Sequence, residues 1–424
     1  MAFGWRSIAK KVFQLGCGEA VGRVCSIATA ILLGHRYGVL ILGAFTLAQG
    51  MTVYLQPLID FGHRHVGARL LAVYPAAAQE IVRRIQRRRM LMAAVVLPLL
   101  ALYATFVKVS IGVQTFLFLF SVASALYAIS LDWVAWGKEQ LQLVGLARAV
   151  VPLSILTTLI LTKPSKTQVL WWLLVGNMVG YVLLGVIFAA WWTQNRPSRD
   201  PSGDSRVVEE SLAMRRIGVM GIAWLGNLAF NTIDMMMLGV MTNAEQVGLY
   251  SAAYRVIMQP LVTYYLLTQT LYPQFARHSP RERARHLDLR ILAILLIAGI
   301  TVAIVVVVFR RIVLGVLFGQ EFRPAVPLLF VLAWAIPLDF LTSWLSNAYI
   351  AWGMERKVLL CTVIAAASNV LLNVAEIPRY GAMAAAVNTL ISYLIFLACL
   401  FWVKKTDVGL TASIAAAVGN VSMC

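Results

Sequence analysis

Residues 291–309 read ILAILLIAGITVAIVVVVF, nineteen positions without a charged side chain. A helix needs roughly 20 apolar residues to cross a hydrocarbon core about 30 Å thick, and this run supplies them. Working outward from it, comparable runs fall near 14–34, 37–59, 90–109, 113–136, 144–162, 169–193, 217–240, 247–273, 326–351, 358–376 and 382–403. The expected fold is an all-α integral membrane protein with about twelve transmembrane helices. Composition points the same way. The 424-residue chain is 60% hydrophobic and 13% charged, with a mean hydropathy of +0.80, whereas soluble chains run near about 45–50% apolar and about 25% charged. An excess of this size cannot be hidden in one soluble core. Disorder and a secreted disulfide scaffold are excluded by the same figures.

The formal net charge is +18. The basic residues cluster between apolar runs, as in cytoplasmic loops held against anionic lipid, rather than in a nucleic-acid-binding face. With the N-terminus inside, 25 of the 36 Lys and Arg fall on inner segments and eight on outer ones, leaving three arginines within spans. Both termini are therefore expected in the cytoplasm. One outer stretch, Arg310-Arg311 to Arg323, runs against that trend. The N-terminus resembles a signal peptide only superficially, because Glu19 and Arg23 interrupt its apolar region, so a retained first span is expected. The five cysteines (Cys17, Cys25, Cys361, Cys399 and Cys424) show no CxxC spacing and read as small hydrophobes.

From Leu70 to Ile85, apolar residues at helical spacing lie beside Arg83, Arg84, Arg87 and Arg88, a pattern that predicts a basic amphipathic helix on the inner membrane face. The one linker-like stretch contains Pro197, Pro201 and Gly203 and sits midway along the chain. The expected organisation is an N-terminal six-helix bundle over 1–194, a cytoplasmic linker over 195–215, a C-terminal six-helix bundle over 216–405 and a tail over 406–424. An internal repeat relates the halves. Leu33-Gly34 followed by Gly43-Ala44-Phe45-Thr46-Leu47-Ala48 is echoed by Leu238-Gly239 followed by Gly248-Leu249-Tyr250-Ser251-Ala252-Ala253, offset by 205 positions. Six spans per half make the repeats parallel, giving two pseudo-symmetric six-helix bundles around a central cleft, the usual place for a substrate in a rocking transporter.

An ionisable side chain at mid-membrane costs about 2.5–3.5 kcal/mol on the most lenient scale, so each one in a span needs a partner or a cavity. Glu19 and Arg23 lie one turn apart, either as a self-neutralising pair or as cleft-lining groups. Arg148 and Arg255 are the other intramembrane cations. Guanidinium is permanently charged and binds phosphate through paired donors, so Arg23, Arg148 and Arg255 are the candidate substrate-binding cations; each is alternatively able to snorkel to an interface, Arg148 above all. Asn227, Asn231 and Asp234 form a stripe on the seventh span, where Asp234, with no base in its own helix, is the candidate ion-coupling group together with Glu19, or else a structural hydrogen-bonding group. Asn369, Asn373 and Glu376, with Asn388 and Ser392, make further polar stripes that suit sugar hydroxyls or ordinary helix–helix contacts. Asp339 follows Pro337 in the tenth span.

No HExxH, GxSxG, P-loop or DxD motif occurs, so a transporter rather than an enzyme is expected, with no cofactor, no catalytic residue and no metal ligand. His63 and His65, flanking Arg64 in a basic loop, read as solvated.

Several of these segments resemble one family. Asp60-Phe61-Gly62 with Gly67-Ala68-Arg69, Trp133, Gly137 and Glu139 with Arg148, Asp234 through Gly239 with Val247 through Arg255, Gly319 with Phe322 and Ala325, and Pro378-Arg379-Tyr380-Gly381 are similar to positions in Wzx-type polysaccharide exporters. Those belong to the MOP superfamily, with the MATE drug exporters and the lipid II flippase. The resemblance implies two six-helix bundles and translocation of polyprenyl-pyrophosphate-linked oligosaccharide repeat units across the bacterial inner membrane. The unit would serve a surface polysaccharide (O-antigen lipopolysaccharide or exopolysaccharide), moved by alternating access with cation coupling. Expected partners are that lipid-linked substrate, membrane lipids and polysaccharide polymerase or export machinery, but no nucleic acid. The alternatives weighed are a MATE-like drug/cation antiporter, a membrane polymerase or ligase, and a scaffold for an export complex.

Overall fold

The computed structural model describes residues 5–195, 232–277 and 289–403, and these are helical apart from turns and short links. The chain forms two compact units, Met1–Leu228 and Ala229–Cys424. The first comprises α1 (Trp5–Tyr37), α2 (Val39–Asp60), α3 (His63–Val73), α4 (Ala78–Phe106), α5 (Ile111–Ala125), α6 (Asp132–Gly137), α7 (Leu141–Thr162) and α8 (Val169–Asn195). The second comprises α9 (Thr232–Met241), α10 (Ala244–Arg277), α11 (Leu289–Phe318), α12 (Val326–Ala333), α13 (Ala335–Ala351), α14 (Glu355–Tyr380) and α15 (Ala382–Val403). The expected linker, apart from Asn195, and the expected tail lie outside the described residues.

Among the described residues, ten helices or helix pairs are long and apolar enough to cross a membrane. With α9 and α10, all twelve expected spans are represented, the seventh only by its described end. Their outward residues are apolar, as at Leu99, Val186 and Val308, which only a hydrocarbon solvent tolerates on this scale. The two repeat hairpins turn at matching places. α1 gives way to α2 at Gly38, and α9 to α10 at Asn243, the same offset of 205 seen in the flanking residues.

Two expected spans are broken helices. The fourth is α5, a short 3-10 turn over Leu126–Ile129, and α6; the tenth is α12 and α13, interrupted at Trp334. A break frees backbone carbonyls that lipid cannot satisfy, so it must be covered by protein. The amphipathic helix expected over Leu70–Ile85 is also interrupted: α3 ends at Val73, and Ala78 already begins the 29-residue α4. Of its apolar residues Tyr74 is exposed, but most face protein. Leu70, Leu71, Ile81 and Ile85 pack instead on Trp133 of α6, because a neighbouring tryptophan offers a dry partner closer than the bilayer.

α1, α7 and α8 approach at glycines. A Cβ at Gly22 would stand 2.5 Å from the Arg148 carbonyl oxygen, and one at Gly180 2.8 Å from Val151 Cα. Small residues let membrane helices pack backbone to backbone. Gly22→Leu is expected to lower stability by about 1–3 kcal/mol through overpacking, read as an earlier thermal melt of the detergent-solubilised chain. Gly185→Leu, which meets nothing within 4 Å, serves as the control, and equal melts for the two variants would contradict this packing.

Candidate functional site

The contact at Gly22 fixes the first part of the site. With α1 held against α7, Glu19 lies between two arginines: Arg23 Nε sits 2.9 Å from Glu19 Oε1, and Arg148 Nη1 donates to Glu19 Oε2. Three of the residues expected to carry function are thus brought together. Arg148, near a helix end, has its charge met by Glu19 on the neighbouring helix. All three side chains remain partly accessible, from 29% for Glu19 to 46% for each arginine.

Glu19 and Arg148 line a cavity of about 500 Å3 inside the first unit. Its polar wall comes from Gln49, Thr52 and Gln56 on α2, Asn177 and Tyr181 on α8, and Arg64, Tyr127 and Asp132. Several of these are fixed by one another. Gln56 Nε2 donates to Tyr181 Oη (3.0 Å), Thr52 and Ser124 hydroxyls lie 2.9 Å apart, and Asn177 Nδ2 donates to Ser124 Oγ (3.0 Å). Amides and hydroxyls at mid-span, beside a guanidinium, form a surface for a hydroxyl-rich anion. Cavities of this size are typical of small-ligand sites.

Tyr127, Asp132 and Arg64 connect that cavity to a buried ionic network. Arg89 of α4 is fully buried, with Nε 2.8 Å from Asp60 Oδ1. Its Nη1 donates to Ser130 O (2.5 Å) and its Nη2 to Tyr127 O (3.1 Å), while Gln86 Nε2 donates to Ala128 O. These are carbonyls of the break between α5 and α6. Tyr127 Oη donates to Asp60 Oδ2 (2.7 Å), and the Arg89 guanidinium stands over the Tyr127 ring. Beside it, Arg64 Nη2 lies 3.2 Å from Asp132 Oδ2, and Ser130 Oγ donates to Asp132 Oδ1. Burial alone would lower the Arg64 pKa; the surrounding Asp132, Tyr127 and Asp60, Asp132 foremost, together outweigh it and hold Arg64 above its ordinary value.

His63, expected to be solvated, is buried, with Nδ1 2.7 Å from the Asp60 carbonyl oxygen. The turn through Phe61 (φ 35°) and Gly62 (φ 87°) folds α3 back on the end of α2, which places the ring there. Burial pushes the His63 pKa below its usual value, so the imidazole is neutral at pH 7.

In the second unit, Asp234 is buried and its carboxylate is held by side chains from three helices. Oδ2 accepts from Tyr250 Oη (3.0 Å) and Thr389 Oγ1 (2.7 Å), and Oδ1 from Asn373 Nδ2 (2.7 Å). Asn373 also donates to Asn369 Oδ1 (2.9 Å) and accepts from Asn388 Nδ2 (3.1 Å). The polar stripe expected on the eleventh span therefore meets Asp234. Among the described residues no Lys, Arg or His is ion-paired with that carboxylate. Asn227 and Asn231 lie outside the described residues. Arg255 is on α10, half-buried, in the second unit. Among the described residues no group of three His, Cys, Asp or Glu is placed to hold a metal ion.

Sequence reasoning missed Arg89, Asp132 and the α2 stripe as site residues. Gln49, Thr52 and Gln56 stand at i, i+3 and i+7, and Asn227, Asn231 and Asp234 at i, i+4 and i+7, both helical-face spacings, so that signal was available. Arg89 closes a run of loop arginines and carried no separate signal.

Removing one partner of a buried ion pair leaves the other charge uncompensated, at about 3–5 kcal/mol. Arg89→Gln is therefore expected to abolish or sharply lower recovery of folded chain, with Asp60→Asn alone also damaging. The double variant should recover stability over Arg89→Gln in a thermal melt; strict additivity of the two losses would contradict the coupling.

Residues 8–279 match the family model described as polysaccharide biosynthesis protein. A probable low-salt glycan biosynthesis flippase, Agl15 of Haloferax volcanii, is 24% identical over 175 residues, which span 41% of this chain and 37% of that relative's length. The fold is similar to the lipid II flippase MurJ in its inward closed conformation, with TM-score 0.72 at 12% identity over 96% of this chain and 92% of that one. It is also similar to an inward-facing multidrug resistance MATE family transporter of the MOP superfamily, with TM-score 0.66 at 12% identity over 92% and 96% of the two chains. With a helical membrane fold on the page and a family match across well over half of its length, the chain belongs to the polysaccharide biosynthesis protein family.

Proposed function

We propose that this chain flips polyprenyl-pyrophosphate-linked oligosaccharide units across the bacterial inner membrane, for assembly of a surface polysaccharide. The observation that carries this reading is the cavity of the first unit, whose wall combines Arg148 and Glu19 with Arg64, Asp132 and the amides and hydroxyls of α2 and α8. A lipid-linked glycan has a polar head, two phosphates and a tail that stays in lipid. Stranding that head in hydrocarbon costs several kcal/mol per unsatisfied group. A cavity lined with hydrogen-bonding side chains lowers the barrier by replacing the lost water.

Glu19 gives the site a resting counter-ion. In this reading the substrate's phosphates displace it from Arg23 and Arg148, so neither arginine is left bare before or after binding; Arg255, on α10 of the second unit, is a further candidate cation for the substrate. Alternating access then exposes the chamber to one leaflet at a time, with both termini in the cytoplasm. The buried Asp234 carboxylate, ion-paired with no base among the described residues and with Thr389, Tyr250 and Asn373 around it, supports coupling to a cation or proton. A ligand shifts a conformational equilibrium only through different affinity for its two states, and uptake of a positive charge at Asp234 provides such a difference.

The test is deletion of the gene followed by leaflet-resolved analysis of lipid-linked repeat units. Accumulation on the cytoplasmic leaflet with loss of surface polymer is expected; normal export, or uptake and efflux of cationic dyes as the dominant phenotype, contradicts the reading. Complementation with Arg148→Gln should leave export at about a tenth of wild type or less, the loss of one charge-assisted contact, with unchanged membrane insertion. Asp234→Asn should retain substrate binding but make transport insensitive to the cation gradient. Full gradient dependence in Asp234→Asn would remove this carboxylate from the coupling.

A further inference from the structure

The outer arginines that run against the charge asymmetry of the loops have no place in the chamber just described. At about 1.5 Å per residue, α11 rises about 33 Å between Leu289 and Arg311, close to the roughly 30 Å hydrocarbon thickness. Arg290 and the pair Arg310-Arg311 therefore flank the charge-free run 291–309 at its two interfaces. Beyond Arg311 the helix continues to Phe318, then Gly319 (φ 95°) turns the chain into a 3-10 segment, Gln320–Ala325. The corner encloses a cavity of about 620 Å3, with Arg311 on one wall, Gln320 and Arg323 on the other, and Ile312, Leu314 and Pro327 completing it.

The two neighbouring arginines behave differently. Arg310 is occupied within its own surroundings: Nη1 donates to Val307 O, and its guanidinium lies over the Phe330 ring at 5.6 Å. That is the ordinary behaviour of an interfacial arginine. Arg311 points its charge to the cavity, and Arg323 is steadied there by its Nε donating to Gln320 Oε1 at 2.7 Å. Among the described residues neither Arg311 nor Arg323 is ion-paired with a carboxylate. Glu321, the nearby acid in sequence, is not among the lining residues. Ile312 on the cavity wall continues at i−4 spacing through Val308 and Ile304, exposed by 61%, 64% and 48%, as an apolar face of α11 running back into the charge-free stretch.

Two unpaired guanidinium groups at headgroup depth, with apolar side chains leading toward the hydrocarbon, match one ligand chemistry: a phosphate carried on a lipid. We propose that the Arg311/Gln320/Arg323 cavity is a binding site for a lipid phosphate head group at the membrane interface. The guanidiniums take the phosphate oxygens, and the first carbons of the lipid lie along Ile312. The phosphate belongs either to a resident anionic phospholipid or to the diphosphate of a polyprenyl lipid. This site is independent of the chamber in the first unit, so it stands or falls separately from the flippase reading.

The experiment measures binding to the full chain in zwitterionic detergent, using three probes: short-chain phosphatidylglycerol, farnesyl diphosphate and inorganic pyrophosphate. At least one of the two lipids should bind, and Arg311→Gln with Arg323→Gln should weaken it at least tenfold. The equally interfacial Arg310→Gln should leave affinity unchanged, and Arg311→Lys with Arg323→Lys should restore most of it, which excludes misfolding as the cause. Preference for phosphatidylglycerol identifies a resident phospholipid site; preference for farnesyl diphosphate identifies a site for the polyprenyl carrier. Lipid affinity unaltered by the double Gln variant overturns the proposal. So does inorganic pyrophosphate binding at this cavity as tightly as both lipids, since the apolar half would then contribute nothing.

Discussion

Arg89 solves a problem created by the chain's own backbone. The fourth span breaks between α5 and α6, freeing carbonyls at a depth where lipid offers no donor. A single guanidinium covers the Tyr127 and Ser130 carbonyls and pairs with the Asp60 carboxylate. Its planar array of five donors is what makes this possible; a lysine in the same place would lack the fork. Asp60 is in turn held by Tyr127, so the end of α2, the body of α4 and the break are tied at one point. The polar floor beside the first unit's cavity rests on this tie, through Tyr127, Asp132 and Arg64.

The two units treat buried charge in opposite ways. In the first, carboxylates and guanidiniums are matched: Asp60 with Arg89, Asp132 with Arg64, and Glu19 with both Arg23 and Arg148. In the second, the donors to Asp234 among the described residues are the neutral Tyr250, Thr389 and Asn373. A matched network resists change, because separating its members leaves charges uncompensated. A carboxylate held by hydroxyls and amides keeps its capacity to take up a positive charge. The first arrangement suits a rigid chamber with an exchangeable counter-ion; the second suits a switch.

The large-scale fold was legible because hydrocarbon is a strict solvent. Span length, the positions of the two repeat turns and the face shared by Asn369 and Asn373 all follow from apolar runs and helical spacing. The Glu19–Arg23 pair was legible as an i, i+4 spacing, but Arg148 joining it was not, since that contact depends on how closely Gly22 lets α1 approach α7. The interruptions of the fourth and tenth spans left only weak marks, Ser130 and Asp132 in one and Pro337 in the other, and prolines also sit inside the unbroken α2, α4 and α7. His63 and the Leu70–Ile85 segment were misread for a common reason. Both sit in a basic stretch whose charge suggests exposure, while the turn at Phe61-Gly62 folds them onto Asp60 and Trp133.

On the proposed reading, a chamber lined by Glu19, Arg148, Arg64, Asp132 and neutral polar groups lets an anionic lipid-linked glycan change leaflets. The most direct measurement reconstitutes the purified chain in liposomes carrying a fluorescent polyprenyl-diphosphate oligosaccharide in the outer leaflet, then follows its protection from a membrane-impermeant quencher. Wild-type chain is expected to move the label until about half is protected, while Arg148→Gln chain, folded and inserted equally well, moves it at least tenfold more slowly. Label that stays fully quenchable with active, folded wild-type chain under an imposed cation gradient would contradict it.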